Sequence, residues 1–196
     1  MMKTTVKNKL TTEIAELYPK QGEWTEDDYF TLPDTNRIVE LSDGRLSMPP
    51  LPVPKHQRIV HKLVKKFDRF IEANELGEIY FAPLPVRLWQ DKIREPDIFF
   101  IAKEHLDRVK EKYCEVPDLV VEVVSRATER VDRIEKFNEY ERAGVREYWI
   151  CDADNETIEI YVLKKGKYKL KAKCKKGDVA QSEILDGLEI ALDEIF

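Results

Sequence analysis

Residues 119–124 read Leu-Val-Val-Glu-Val-Val, the most apolar strand-like run in the chain. A continuous β-branched run of this length is the pattern of a strand buried on both faces, so the chain must build a sheet covered on each side. Glu122 stands in the middle of it. An ionised carboxylate in an interior is costly unless it is paired or bound to a metal, and packing alone would place Val or Ile there. Two readings follow. Either Glu122 lies near the strand's end and meets Arg126 or Arg130, or it is a metal ligand displayed at the edge of the sheet.

The flanking pattern supplies the rest of that sheet. Thr25 and Asp28 resemble a capping box before a short helix through Tyr29 and Leu32, ended by Pro33. Arg37–Leu41 and Arg45–Met48 read as strands joined by Asp43-Gly44, a hairpin signal. Prolines 49, 50, 52 and 54 force an extended connector. From Lys55 to Asn74, Ile59, Val60, Leu63, Val64, Phe67, Phe70 and Ile71 recur at helical spacing, and Gly77 is expected to close that helix. Strands follow at Glu78–Phe81, Val86–Leu88 and Asp97–Ile101. After the central strand come a helix over Thr128–Ala143, stopped by Gly144, and strands at Glu147–Cys151, Thr157–Leu163 and Tyr168–Cys174. The expected fold is α/β (α+β): a mixed sheet flanked by two main helices, with an N-terminal hairpin and C-terminal strands. At 196 residues the chain suits one domain, taken as 23–196. Residues 1–22 read as a loosely tied leader with a short helix over Thr11–Tyr18.

Several function classes are disfavoured. No apolar run approaches the roughly 20 residues of a membrane helix, and the N-terminus lacks a signal peptide's apolar core, so a cytoplasmic protein is expected. Cys114, Cys151 and Cys174 form no Cys-x-x-Cys pair, and His56, His61 and His105 have no metal-binding spacing. Any metal should be a hard, oxygen-liganded ion such as Mg²⁺ or Mn²⁺. The formal net charge of −5 argues against a protein built mainly for tight non-specific nucleic-acid binding.

A metal needs a second acid, and two Pro-Asp pairs compete for the place. Asp118 lies four residues before Glu122 on the same strand, about 13 Å away at ~3.3 Å per residue, too far to share an ion. It is expected instead to cap or turn the chain there. Asp97 begins a separate strand that can lie beside Glu122. A cation is also expected. Taking ~100° per residue, Val131, Ile134, Phe137 and Tyr140 define the buried face of the second helix, with Lys136 at its border. There its stem can lie on the sheet and its ammonium reach the strand ends. The plainer alternative is a solvated lysine in an i,i+4 ion pair with Asp132.

Taken in order, RIVELSDGRL (37–46), PKHQRIVHKL (54–63), EPDIFFI (95–101), PDLVVEVVSRATERVDRIEKFNEYERAGVREYWICD (117–152) and the closing LDGLEIALDEIF resemble the PD-(D/E)XK restriction-endonuclease-like superfamily. Within it the chain is similar to the Uma-type restriction-endonuclease family, from about Thr25 to Phe196. The resemblance implies that Asp97 and Glu122 are the metal-binding acids. The superfamily's usual lysine position, two residues after the glutamate, holds Val124, and the family's lysine corresponds to Lys136 on the following helix. Glu40 matches a further acidic position, and His56 and Gln57 match an HQ pair. The implied reaction is phosphodiester hydrolysis of nucleic acid, expected to be DNA, with one or two Mg²⁺ ions held by Asp97, Glu122 and the Val123 carbonyl. Glu40 would complete a second metal shell, and Lys136 would orient the attacking water. His56 would protonate the leaving oxygen or contact a phosphate, unless it is structural. Ser125 and Thr128 are candidate phosphate contacts, with Thr128 also a candidate helix cap.

Lysines alternate with apolar residues over Tyr168–Cys174, so Lys169, Lys171 and Lys173 either protect an edge strand or contact a DNA backbone. Two further readings of the whole stay open: a nucleic-acid- or partner-binding domain that keeps the fold without useful catalysis, and a glycosidase using Asp97 and Glu122 as its acid/base pair. Trp24, Trp89 and Trp149 are too scattered to suggest a sugar cleft. A homodimer is expected by analogy with the superfamily.

Overall fold

The computed structural model describes residues 18–33 and 37–196. Its centre is a six-stranded mixed sheet in the order β10-β9-β8-β7-β6-β3. The strands are β3 (Gly77–Phe81), β6 (Ile98–Ala102), β7 (Leu119–Val124), β8 (Glu147–Asp152), β9 (Thr157–Lys164) and β10 (Lys167–Lys175). β7 and β8 run parallel, while β6 lies antiparallel to β7 on its other side. Every residue of β7 is buried, as the β-branched run requires.

Alternation along β7 divides the interior in two. Leu119, Val121 and Val123 face helix α2 (Pro54–Ala73), whose Ile59, Leu63, Phe67 and Ile71 are buried against them. β11 (Val179–Gln181) and β12 (Glu189–Ala191) close this layer with Ala180, Leu188, Ile190 and Leu192. Val120 and Val124 face the opposite layer, where Tyr140, Tyr148, Val86 and Phe99 pack. Glu122 has the same parity as Val120 and Val124, so it points into this second layer.

A smaller four-stranded sheet, β2-β1-β5-β4, lies beside the main one. It comprises β1 (Glu40–Ser42), β2 (Arg45–Ser47), β4 (Val86–Trp89) and β5 (Lys92–Arg94). Its core is Trp24, Tyr29, Val39, Leu41 and Ile93. The stretch before α1 (Glu26–Tyr29) is tied to the β1–β2 turn, since the Gly22 and Trp24 N–H groups both donate to Gly44 O. Thr25 and Asp28 form the expected capping box, but α1 ends at Tyr29 rather than running through Leu32.

Other expectations need correction. The first strand of the hairpin covers Glu40–Ser42 and not Arg37–Leu41. β5 went unforeseen because the β4–β5 turn uses Asp91 at φ +59 instead of a glycine. β11 and β12 also went unforeseen. Gly77 does not close α2, whose C-cap is Asn74; it opens β3 at φ +145, where a Cβ would sit 2.1 Å from Ile101 O. The helix expected over Thr128–Ala143 is present from Glu129 to Ala143, but its stretch Val131–Lys136 is π-helical and leads into α3 (Phe137–Ala143). The wider turn rotates its faces: Ile134 is exposed, while Asp132 and Lys136 are buried. The helix expected over Thr11–Tyr18 falls, apart from Tyr18, outside the described residues. Among the described residues no helix is long and apolar enough to cross a membrane.

Candidate active site

The register of the main sheet brings the two acids together. Ile98 pairs with Val121 across antiparallel β6 and β7, so Asp97, one residue earlier, lies opposite Glu122. Directly opposed residues place their Cβ atoms about 5 Å apart, close enough for two carboxylates to serve one ion. Asp97 Oδ2 accepts from the Val123 N–H at 2.8 Å and lies 3.1 Å from His56 Nε2. Asp118 sits at the other end of β7 with its carboxylate on Ala102 N and His105, capping chain ends there.

Glu122 is 3% exposed, and its Oε1 accepts from Lys136 Nζ at 2.9 Å and from Tyr140 OH at 2.7 Å. It meets neither Arg126 nor Arg130. Among the described residues the hydrogen bonds to the two acids gather on Glu122 Oε1 and Asp97 Oδ2. Lys136 Nζ also lies 3.1 Å from Glu40 Oε1 and 3.5 Å from Asp132 Oδ1. The i,i+4 pair with Asp132 therefore exists, but inside the protein and not on a solvated face.

The smaller sheet supplies Glu40. Leu41 pairs with Ile93, so Glu40 and Arg94 stand opposite one another on β1 and β5, and Arg94 Nη1 donates to Glu40 Oε2 at 2.9 Å. Arg94 Nε reaches Glu139 Oε2 at 2.7 Å, joining that sheet to α3. Glu40 thus packs between Arg94 and Lys136, whose Nζ also meets Glu122.

Charge is unbalanced here. Glu40, Glu122 and Asp132 gather around Lys136, Asp97 lies on His56, and Arg94 is divided between Glu40 and Glu139, which also meets Lys92. Burial pushes the Glu122 carboxyl up to about 8; Lys136 opposes that rise, while Asp132 and Asp97 add to it. Burial likewise raises Asp132, against the pull of Lys136. Glu40 goes the other way, because Lys136 and Arg94 outweigh its burial. Burial disfavours charge on His56, yet Asp97 and, behind it, Asp132 raise its pKa above the usual value. Its Nδ1 is buried with no hydrogen-bond partner.

The remaining sequence candidates scatter. Gln57 is exposed beside His56. The Ser125 N–H donates to Thr128 Oγ1 at 3.2 Å, a local turn before the π-helical stretch. Lys171 lies 2.8 Å from Glu183 and Lys173 2.8 Å from Glu159, so both are spent on intramolecular ion pairs, while Lys169 is exposed on the same edge strand. Sequence reasoning missed Arg94, Asp132 and Tyr140 as members of the site. Tyr140 was assigned to the core, and only the placement of Glu122 in that layer shows what its hydroxyl meets. Among the described residues no three His, Cys, Asp or Glu side chains have the arrangement of a metal cage.

The mixed sheet with flanking helices and an acidic pair at a strand end defines a restriction-endonuclease-like protein. Among solved structures, the chain is similar to one described as a "putative nuclease belonging to DUF820" from Anabaena variabilis, with a TM-score of 0.73 and 17% identity over 88% of this chain and 97% of that one. At that identity the likeness concerns the fold. Residues 26–193 match the family model Uma2, described as "Putative restriction endonuclease", and the chain belongs to this family. No curated protein matches.

Proposed function

We propose that this protein is a divalent-metal-dependent endonuclease acting on DNA, with its centre at Asp97, Glu122 and Lys136. Family membership supports hydrolysis of nucleic acid. The observation that carries the finer reading is the opposition of Asp97 and Glu122 across β6 and β7, beside a buried lysine.

The donor chemistry fits a hard cation such as Mg²⁺ or Mn²⁺. Two opposed carboxylates, an acidic excess and a carboxyl raised to about 8 by burial make a site whose charge a divalent ion would balance. Asp97 and Glu122 would hold it, with the Val123 carbonyl as a further donor. Such an ion supplies Lewis acidity at the scissile phosphate and activates water for attack. Lys136 would orient that water and offset charge gathering on the phosphate. Tyr140 and Lys136 together fix one oxygen of Glu122, so its orientation is set by buried groups. His56 holds Asp97 in place and, in its protonated form, has a proton available for the leaving oxygen. Glu40 keeps Lys136 charged and positioned.

One observation favours a second reading, a binding domain without turnover: Lys136 already contacts three carboxylates and is 9% exposed. Cleavage decides between them. Supercoiled plasmid and single-stranded DNA are incubated in Mn²⁺ with wild type and with Glu122→Ala purified in parallel. Cutting abolished by both EDTA and the substitution is expected. Equal cutting by the two proteins would remove the site from consideration, and no cutting by wild type would favour the binding domain.

A further inference from the structure

Helix α2 carries six Lys and Arg against Asp68 and Glu72, in a chain of net charge −5. Five of the six fall on one line: Lys55, Arg58, Lys62, Lys65 and Arg69, spaced alternately by three and four residues. At ~100° per residue they occupy an arc of about 80°, roughly opposite the buried Ile59, Leu63, Phe67 and Ile71. Lys55, Arg58, Lys65 and Arg69 are exposed with no ion pair among the described residues, and Lys62 donates to a main-chain carbonyl, Ile195 O, which leaves its charge unbalanced.

Helix stability does not account for this arrangement. Like charges three and four residues apart repel, and here they repeat down the whole helix. The first turn has no acidic residue and the last no basic one, the reverse of what the helix dipole favours. The stripe also has a fixed relation to the candidate site, since Lys55 adjoins His56, whose ring sits on Asp97. From Lys55 to Arg69 it runs about 21 Å at 1.5 Å per residue. That matches roughly six base pairs of one strand of a duplex.

Resting on the nuclease reading, we infer that the solvent face of α2 is the track on which the phosphate backbone of duplex nucleic acid lies, leading one strand to Asp97 and Glu122. This assigns the electrostatic contact to α2 and not to β10, where Lys171 and Lys173 are already paired. A basic stripe beginning at an acidic centre also lets a protein of negative net charge hold a polyanion locally.

The test is binding without cleavage. A fluorescein-labelled 20-base-pair DNA is titrated in EDTA, at several salt concentrations, with wild type, with Lys65→Gln/Arg69→Gln and with the control Lys169→Gln/Lys175→Gln. The α2 variant touches nothing at the site. It is expected to bind about tenfold more weakly, with a salt slope reduced by about 2, while the control matches wild type. Its Tm should stay level or rise, because repulsion is removed, so weaker binding will not reflect unfolding. Unchanged affinity and slope in the α2 variant, an equal loss in the control, or no duplex binding by wild type would each overturn the inference. Plasmid cleavage is scored separately. Normal binding by the α2 variant of a wild type that cuts would sink the track and leave the nuclease, whereas weakened binding beside an inert wild type would do the opposite.

Discussion

Lys136 and Glu122 define what single residues do in this protein. Removing Lys136 leaves Glu122 without its cation, which costs about 3–5 kcal/mol in comparable buried pairs, whereas removing Glu122 leaves Lys136 with Glu40 and Asp132. Protonation sets the rest. Glu122 is raised to about 8 from 4.5, so between those values the folded protein holds a proton that the unfolded chain has released. Stability attributable to Glu122 therefore falls as pH rises across that window. His56 acts in the same direction: its folded pKa lies above 6.5, so its contribution is full below 6.5 and is lost as pH rises through the folded value. We expect the Tm measured in EDTA to fall between pH 5 and pH 8, and Glu122→Gln to flatten that fall. A Tm that rises over this range would contradict the charge assignment.

At the scale of elements, the site depends on two sheets and one irregular helix. Arg94 is the joint, pairing with Glu40 on β1 and Glu139 on α3 while 2% exposed. Arg94→Met would leave Glu40 to Lys136 alone and Glu139 to Lys92 alone, and should cost about 3 kcal/mol, read as a lowered urea midpoint. A loss below about 1 kcal/mol would mean that the smaller sheet is held by its apolar core alone. The π-helical stretch has a separate role. It turns both Asp132 and Lys136 inward, and such wide turns occur frequently at functional positions.

The same elements show what could be read from sequence and why. Alternation and helical periodicity marked β7, α2 and the main strands, because those signals are local. Glu122 was visible as an exception to its own strand. The candidate placement of Asp97 beside it came from excluding Asp118 by distance along one strand, and the register sets the two acids opposite each other. Arg94 was not legible, and Asp132 only as the i,i+4 partner of Lys136. Arg94 lies on a three-residue strand whose turn lacks glycine, and its importance depends on which sheet β5 joins. A regular 100° rotation sets Lys136 at the helix border and Asp132 on a solvated face beside it, and the π-helical stretch breaks that rotation. Ile134, placed inside by that rotation, is 55% exposed.

For the whole molecule, the proposed path runs from the basic face of α2 past His56 to Asp97 and Glu122, with Lys136 buried against Glu122. In the proposed function Lys136 takes part in the chemistry and does more than fill a charged core. That role is tested by single-turnover cleavage of a short labelled duplex in Mn²⁺, comparing wild type with Lys136→Gln under conditions where circular dichroism shows both folded and anisotropy shows both saturated with DNA. Wild type should cut, and the variant's rate should fall by about 10²–10³-fold with its DNA affinity retained. A variant that cuts at the wild-type rate, or a saturated wild type that does not cut at all, would contradict that role.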